Sequence, residues 1–118
     1  PLNHQLTSRG AVFVESTESA PKYRLYALAG GPPMRPGMVQ VNDEGRAIKL
    51  EIWRIPAAAF ASFVGLIPSP LGIGTVETAS GTRVLGFICE QAGLIGAADI
   101  TDFGGWGSFL ASQSPPNL

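Results

Sequence analysis

Pro68-Ser69-Pro70-Leu71-Gly72-Ile73-Gly74, with Gly86-Phe87-Ile88-Cys89-Glu90 downstream, is the stretch on which the reading of this fold turns. Proline fixes φ and removes a backbone donor, while glycine opens left-handed φ or lets another backbone come close. Two prolines and two glycines set around Leu71 and Ile73 imply a rigid, shaped connection feeding straight into a strand. A left-handed φ is expected at Gly72 or Gly74. Val76 to Thr78, the pair Ser80-Gly81 and Thr82 to Glu90 then read as a hairpin.

Working outward, Ile48, Leu50 and Ile52 alternate with Lys49, Glu51 and Trp53, the pattern of a strand with one apolar face. Pro56 suits the first position of a helix, and residues 57–59 are alanines. Phe60, Phe63, Val64 and Ile67 recur at i, i+3, i+4, i+7, so that helix is half-buried. Asn42-Asp43-Glu44-Gly45 reads as a hairpin turn joining residues 38–41 to 46–55. Residues 22–28 and 11–17 read as strands, and 30–37, with three prolines, as a stiff loop. Residues 3–9 suit a short helix closed by Gly10. Residues 104–112 suit a closing helix carrying Trp106, Phe109 and Leu110. The expected architecture is α+β: one domain over residues 1–112, a small, mostly antiparallel, partly closed β-barrel with a few short helices, and a flexible tail over 113–118.

The chain has 118 residues, 45% hydrophobic and 14% charged, enough for a single core and too apolar for a disordered chain. Eight basic and nine acidic side chains nearly cancel and are scattered. Without a basic stripe nucleic acid is not an expected partner, and a net charge of −1 resists self-association little, so a homo-oligomer is carried as an expectation. Apolar runs fall short of the roughly 20 residues a bilayer span needs, so no membrane partner is expected. Neither a signal peptide nor a disulfide framework is legible, and cytoplasm is the expected compartment.

Five fragments carry a family resemblance. They are Pro1-Leu2-Asn3 followed by Gln5-Leu6; Tyr23-Arg24-Leu25-Tyr26; Arg35-Pro36-Gly37-Met38; residues 48–53 with Ile55-Pro56; and Phe103-Gly104-Gly105-Trp106. Together with the 68–74 stretch, and in the same order from residue 1 to about residue 110, they resemble the C-terminal domain of allophanate hydrolase. The resemblance implies a γ-glutamylcyclotransferase-like fold. It also implies a pocket-forming strand just before Pro1, which these 118 residues do not contain. The implied activity is decarboxylation of N-carboxycarbamate, a small carbamoyl dianion of urea catabolism, beside an amidase domain or protein. The pocket it suggests draws on Asn3, Tyr26, Pro36, Gly37, Glu51, Leu71, Gly72 and Ile73, with loop amides as donors, Arg24 or Arg35 as counter-charges and no cofactor.

The residues themselves narrow the chemistry. Enzymes of the cyclotransferase fold carry an acidic general base after the helix that follows the long central strand. Residues 64–68 here, Val-Gly-Leu-Ile-Pro, hold no carboxylate, so that reaction is disfavoured. Glu51 reads either as a solvated strand face beside Lys49 or as a barrel-interior carboxylate, and Glu90 carries the same two readings. Asn3 is either a helix cap or an amide donor to a carboxylate. Tyr26 and Arg24 share a face that suits an anion or plain solvent. His4 and Cys89 are single, too few for zinc, and the apolar run around Cys89 suits a buried, inert thiol. No nucleophile elbow or phosphate loop is present, and no residue is assigned as catalytic. The rival reading is a non-catalytic docking or oligomerisation module for an amidase partner.

Overall fold

The chain, seen in a computed structural model, is described over residues 2–31 and 34–113, with the side chains of Leu2 and Asn3 outside that description. In chain order the elements are α1 (Leu2–Thr7), β1 (Val12–Glu18), β2 (Tyr23–Ala27), β3 (Pro36–Gln40), β4 (Lys49–Arg54), α2 (Ala57–Val64), β5 (Leu71–Glu77), β6 (Arg83–Cys89), β7 (Ala98–Asp99) and α3 (Trp106–Gln113). Short 3₁₀ turns cover Gln91–Leu94 and Thr101–Phe103. Helix α1 stops where Gly10 takes φ 78°, and the Ala11 amide turns back onto the Leu6 carbonyl at 3.1 Å. Helix α2 starts after Pro56 and buries Phe63, as its spacing requires. Helix α3 buries Phe109 and leaves Leu110 exposed. It runs through Gln113, the first residue of the expected tail, and the rest of that tail lies outside the described residues.

Among the described residues all the strand pairs are antiparallel, in the orders β1-β4, β3-β2-β7 and β5-β6. Three small sheets therefore stand where a partly closed barrel was expected. Outside the named strands, single bridges pair Ser19 with Thr78 and Tyr23 with Arg46, and the ladder does not close among the described residues. A bulge between Phe13 and Glu15 in β1 adds local twist.

Two local expectations are corrected. Residues 42–45 do not join a hairpin, because β3 pairs with β2 and β4 with β1. The entry to β2 runs between the two arms: the Val41 amide donates to Lys22 and the Arg46 amide to Tyr23. Gly45 is needed for that passage, since a Cβ there would lie 2.5 Å from the Lys22 Cα. The second correction concerns 71–74. Leu71, Gly72, Ile73 and Gly74 lie inside β5, paired from Leu71↔Cys89 to Gly74↔Gly86, and neither glycine is left-handed. Gly74 instead makes room for Ile88, whose Cδ1 would be 2.6 Å from an added Cβ, while Gly72 has open space around it. Pro36 and Gly37 likewise belong to β3 rather than to the preceding loop. Proline is tolerated there as the first residue of a strand.

The main core gathers Tyr23, Leu25, Ala27, Met38, Ile48, Val76, Ile100 and Phe109, with Leu50, Val84, Ile88 and Trp106 packed against it. Leu6, Ala11 and Phe63 form a second cluster under Trp53, Ile55 and Phe87. Burying a side chain the size of Phe63 is worth about 1.5–3 kcal/mol, which fastens α1 and α2 to the strands. Ser19, wholly buried, donates to the Ala20 carbonyl and accepts from the Ile48 amide at 2.9 Å each. No helix among the described residues is long and apolar enough to cross a membrane.

Candidate functional site

Strand β2 sends Tyr23, Leu25 and Ala27 into the core and leaves Arg24 and Tyr26 half-buried on the other face. Directly opposite residues of an antiparallel pair share a face, so Gly37, the partner of Tyr26, lies on that side too. There the end of β6 comes down on β3. A Cβ at Gly37 would sit 2.7 Å from Leu28 Cδ2 and 3.1 Å from both Cβ and Sγ of Cys89. Cys89 pairs with Leu71, and at Gly93 an added Cβ would lie 2.7 Å from the Pro70 Cβ and 2.9 Å from the Cys89 Sγ. Gly37, Cys89, Gly93 and the Pro70-Leu71 entry to β5 thus meet in one seam, and glycine at two of its positions lets the backbones close on the sulfur.

Beside the seam lies an open hollow of about 310 Å³ lined by Leu28, Ala29, Ser69, Pro70, Ala92, Gly93 and Ile95. A second, of about 520 Å³, adjoins it at Gln91, Ala92, Leu94 and Ile95. No charged side chain lines either, and Ile95 is 81% exposed at their shared rim. An unpaired dianion has nothing charged to meet there. Two loop amides of the seam are already engaged: Leu71 donates to Pro68 at 2.9 Å and Glu90 to Pro70 at 2.8 Å. The bond from Glu90 fixes the alternation along β5, so the Gly72 amide turns toward β6 and that of Ile73 away from it. Of Leu71, Gly72 and Ile73, Ile73 is therefore the one whose amide turns away from β6 without the Pro68 partner that Leu71 has.

The electrostatics sit elsewhere. Arg24 Nε donates to Asp99 Oδ2 at 2.8 Å, and its Nη1 donates to the Glu44 carbonyl. Asp99 Oδ1 also accepts from the Thr101 hydroxyl at 2.6 Å and from the Thr101 amide at 3.0 Å. Partial burial pushes the Asp99 carboxyl up, but the bonds from Arg24 and Thr101 outweigh it and hold the group below the usual carboxylate range. The bond to Asp99 raises the Arg24 guanidinium in turn. Arg24 is thus committed to a structural tie and is not the available counter-charge expected of it, whereas Arg35 stands exposed before β3. Sequence reading missed Asp99 and Thr101 altogether. The only local signal was an Asp two residues before a Thr, since β7 is too short to show alternation.

The remaining expected site residues are dispersed. Glu51 is exposed on the β1–β4 ribbon opposite Ser16, where it accepts the Trp53 indole N–H at 3.2 Å, so it is a solvated strand face and not an interior carboxylate. Asn3 lies in α1, with its side chain outside the described residues. Glu90 is exposed just past β6, and His4 is exposed on α1. The Cys89 thiol is buried, pushed up by that burial and then by the Glu90 charge, and donates to the Glu90 carbonyl at 3.3 Å. A buried thiol held protonated is a poor nucleophile. Among the described residues no cluster of three or more His, Cys, Asp or Glu side chains is suited to a metal.

Residues 1–111 match the family described as allophanate hydrolase C-terminal domain. The urea amidolyase of Saccharomyces cerevisiae is 39% identical in an alignment 114 residues long that covers 93% of this chain and 6% of that protein. This chain therefore spans a small fraction of the length of the curated relatives it matches. Among solved structures, SeMet-substituted Kluyveromyces lactis allophanate hydrolase has a TM-score of 0.93 at 40% identity, over 97% of this chain and 19% of that one. The structure of c4763, a uropathogenic E. coli-specific protein, has a TM-score of 0.87 at 32% identity, over 97% of this chain and 87% of that one.

Proposed function

Because the chain belongs to the allophanate hydrolase C-terminal domain family, we propose that it acts in urea breakdown beside an amidase, where it decarboxylates N-carboxycarbamate. The observation that carries this reading is the family match along residues 1–111, which takes in the Tyr26–Gly37 pair and the Leu71–Cys89 seam. In the reaction one C–N bond breaks, its electron pair stays on nitrogen, a proton joins that nitrogen, and CO₂ leaves beside carbamate. Such a step asks for no strong nucleophile. It asks for donors that orient the departing carboxylate and meet the charge gathering on nitrogen. We assign the donor roles to the Tyr26 hydroxyl, the Asn3 amide and Arg35, which is exposed, with the Ile73 backbone amide beside them. The γ-glutamylcyclotransferase-like fold and a cytoplasmic setting belong to the same reading. Cyclotransferase activity itself does not, since residues 64–68 carry no carboxylate.

Malonate, a stable dianion of similar span, is the probe for the site. Titrated into the labelled chain, it is expected to saturate at millimolar concentration and to shift the amides of Tyr26, Gly37 and Ile73. Shifts confined to the β1–β4 ribbon, or none that saturate, contradict the assignment. One observation favours a second reading, a docking or self-associating module: the uncharged hollow with Ile95 exposed at its rim. A stable complex with an allophanate-cleaving amidase, in which the chain adds no turnover, is the outcome that would prefer it.

A further inference from the structure

We draw no further inference here: the strongest candidate, the uncharged hollow beside the 3₁₀ turn Gln91–Leu94 with Ile95 exposed at its rim, carries nothing because nothing in the structure shows what covers it.

Discussion

Gly37 and Gly72 are both glycines inside strands, yet their surroundings differ sharply. A Cβ at Gly37 meets Leu28 and Cys89 at 2.7–3.1 Å, whereas at Gly72 nothing lies within 4 Å. Overpacking a filled site costs about 1–3 kcal/mol. Gly37→Ala is therefore expected to lower the unfolding midpoint clearly and Gly72→Ala hardly at all; equal effects in thermal melts would refute the seam. Asp99 supplies a second residue-scale test. Its folded pKa lies below the unfolded value of about 3.9, so its contribution is present above that pH. It is lost as pH falls through the folded pKa, because the unfolded chain binds the proton more readily. The side chain is 37% exposed and solvent weakens the pair, so the effect is modest. Melts between about pH 2 and pH 6 should show a shallower acid loss in Asp99→Asn than in the parent chain. An unchanged slope would mean that the Arg24 tie contributes nothing.

At the scale of elements, buried hydroxyls replace missing sheet contacts. Thr101 Oγ1 accepts the Leu25 amide at 2.9 Å and donates to Asp99, joining β2 to the turn after β7. Thr101→Val keeps the shape but strands a buried amide, and should cost about 1–3 kcal/mol by denaturant unfolding. A loss well under that range would mean that water or the backbone takes over. The same scale shows what the sequence could reveal. Alternation marked β2 and β4 correctly, and helical spacing marked α2, because each buries one face against one neighbour. The 42–45 turn misled because a Gly suits a hairpin and a close crossing equally, and only Lys22, far back in sequence, decides between them. The 68–74 stretch misled for a related reason: Gly74 serves space for Ile88, not a turn. Of the expected site, Gly37 pairs with Tyr26 and packs on Cys89, the partner of Leu71, whereas Pro36 pairs with Ala27 and so lies on the other face of β3. Glu51 and Arg24 do not join them, because their partners Trp53 and Asp99 follow from local geometry and long-range register that composition does not encode.

At the level of the molecule, the described residues form three small antiparallel sheets around one main core and a satellite cluster, and family likeness extends over nearly the full chain. That breadth supports the proposed role in urea breakdown, since no single side chain declares the chemistry. The proposed decarboxylation would make a light demand: orientation and a few donors, each worth a modest part of the barrier. The proposed activity is that this chain speeds loss of CO₂ from N-carboxycarbamate. The direct measurement supplies that compound from an allophanate-cleaving amidase stripped of its own C-terminal domain and follows CO₂ release with and without this chain. Faster release in proportion to added chain, with the amidase step unchanged, is the expected result. Release at the same rate with and without it would mean that the chain does not decarboxylate N-carboxycarbamate.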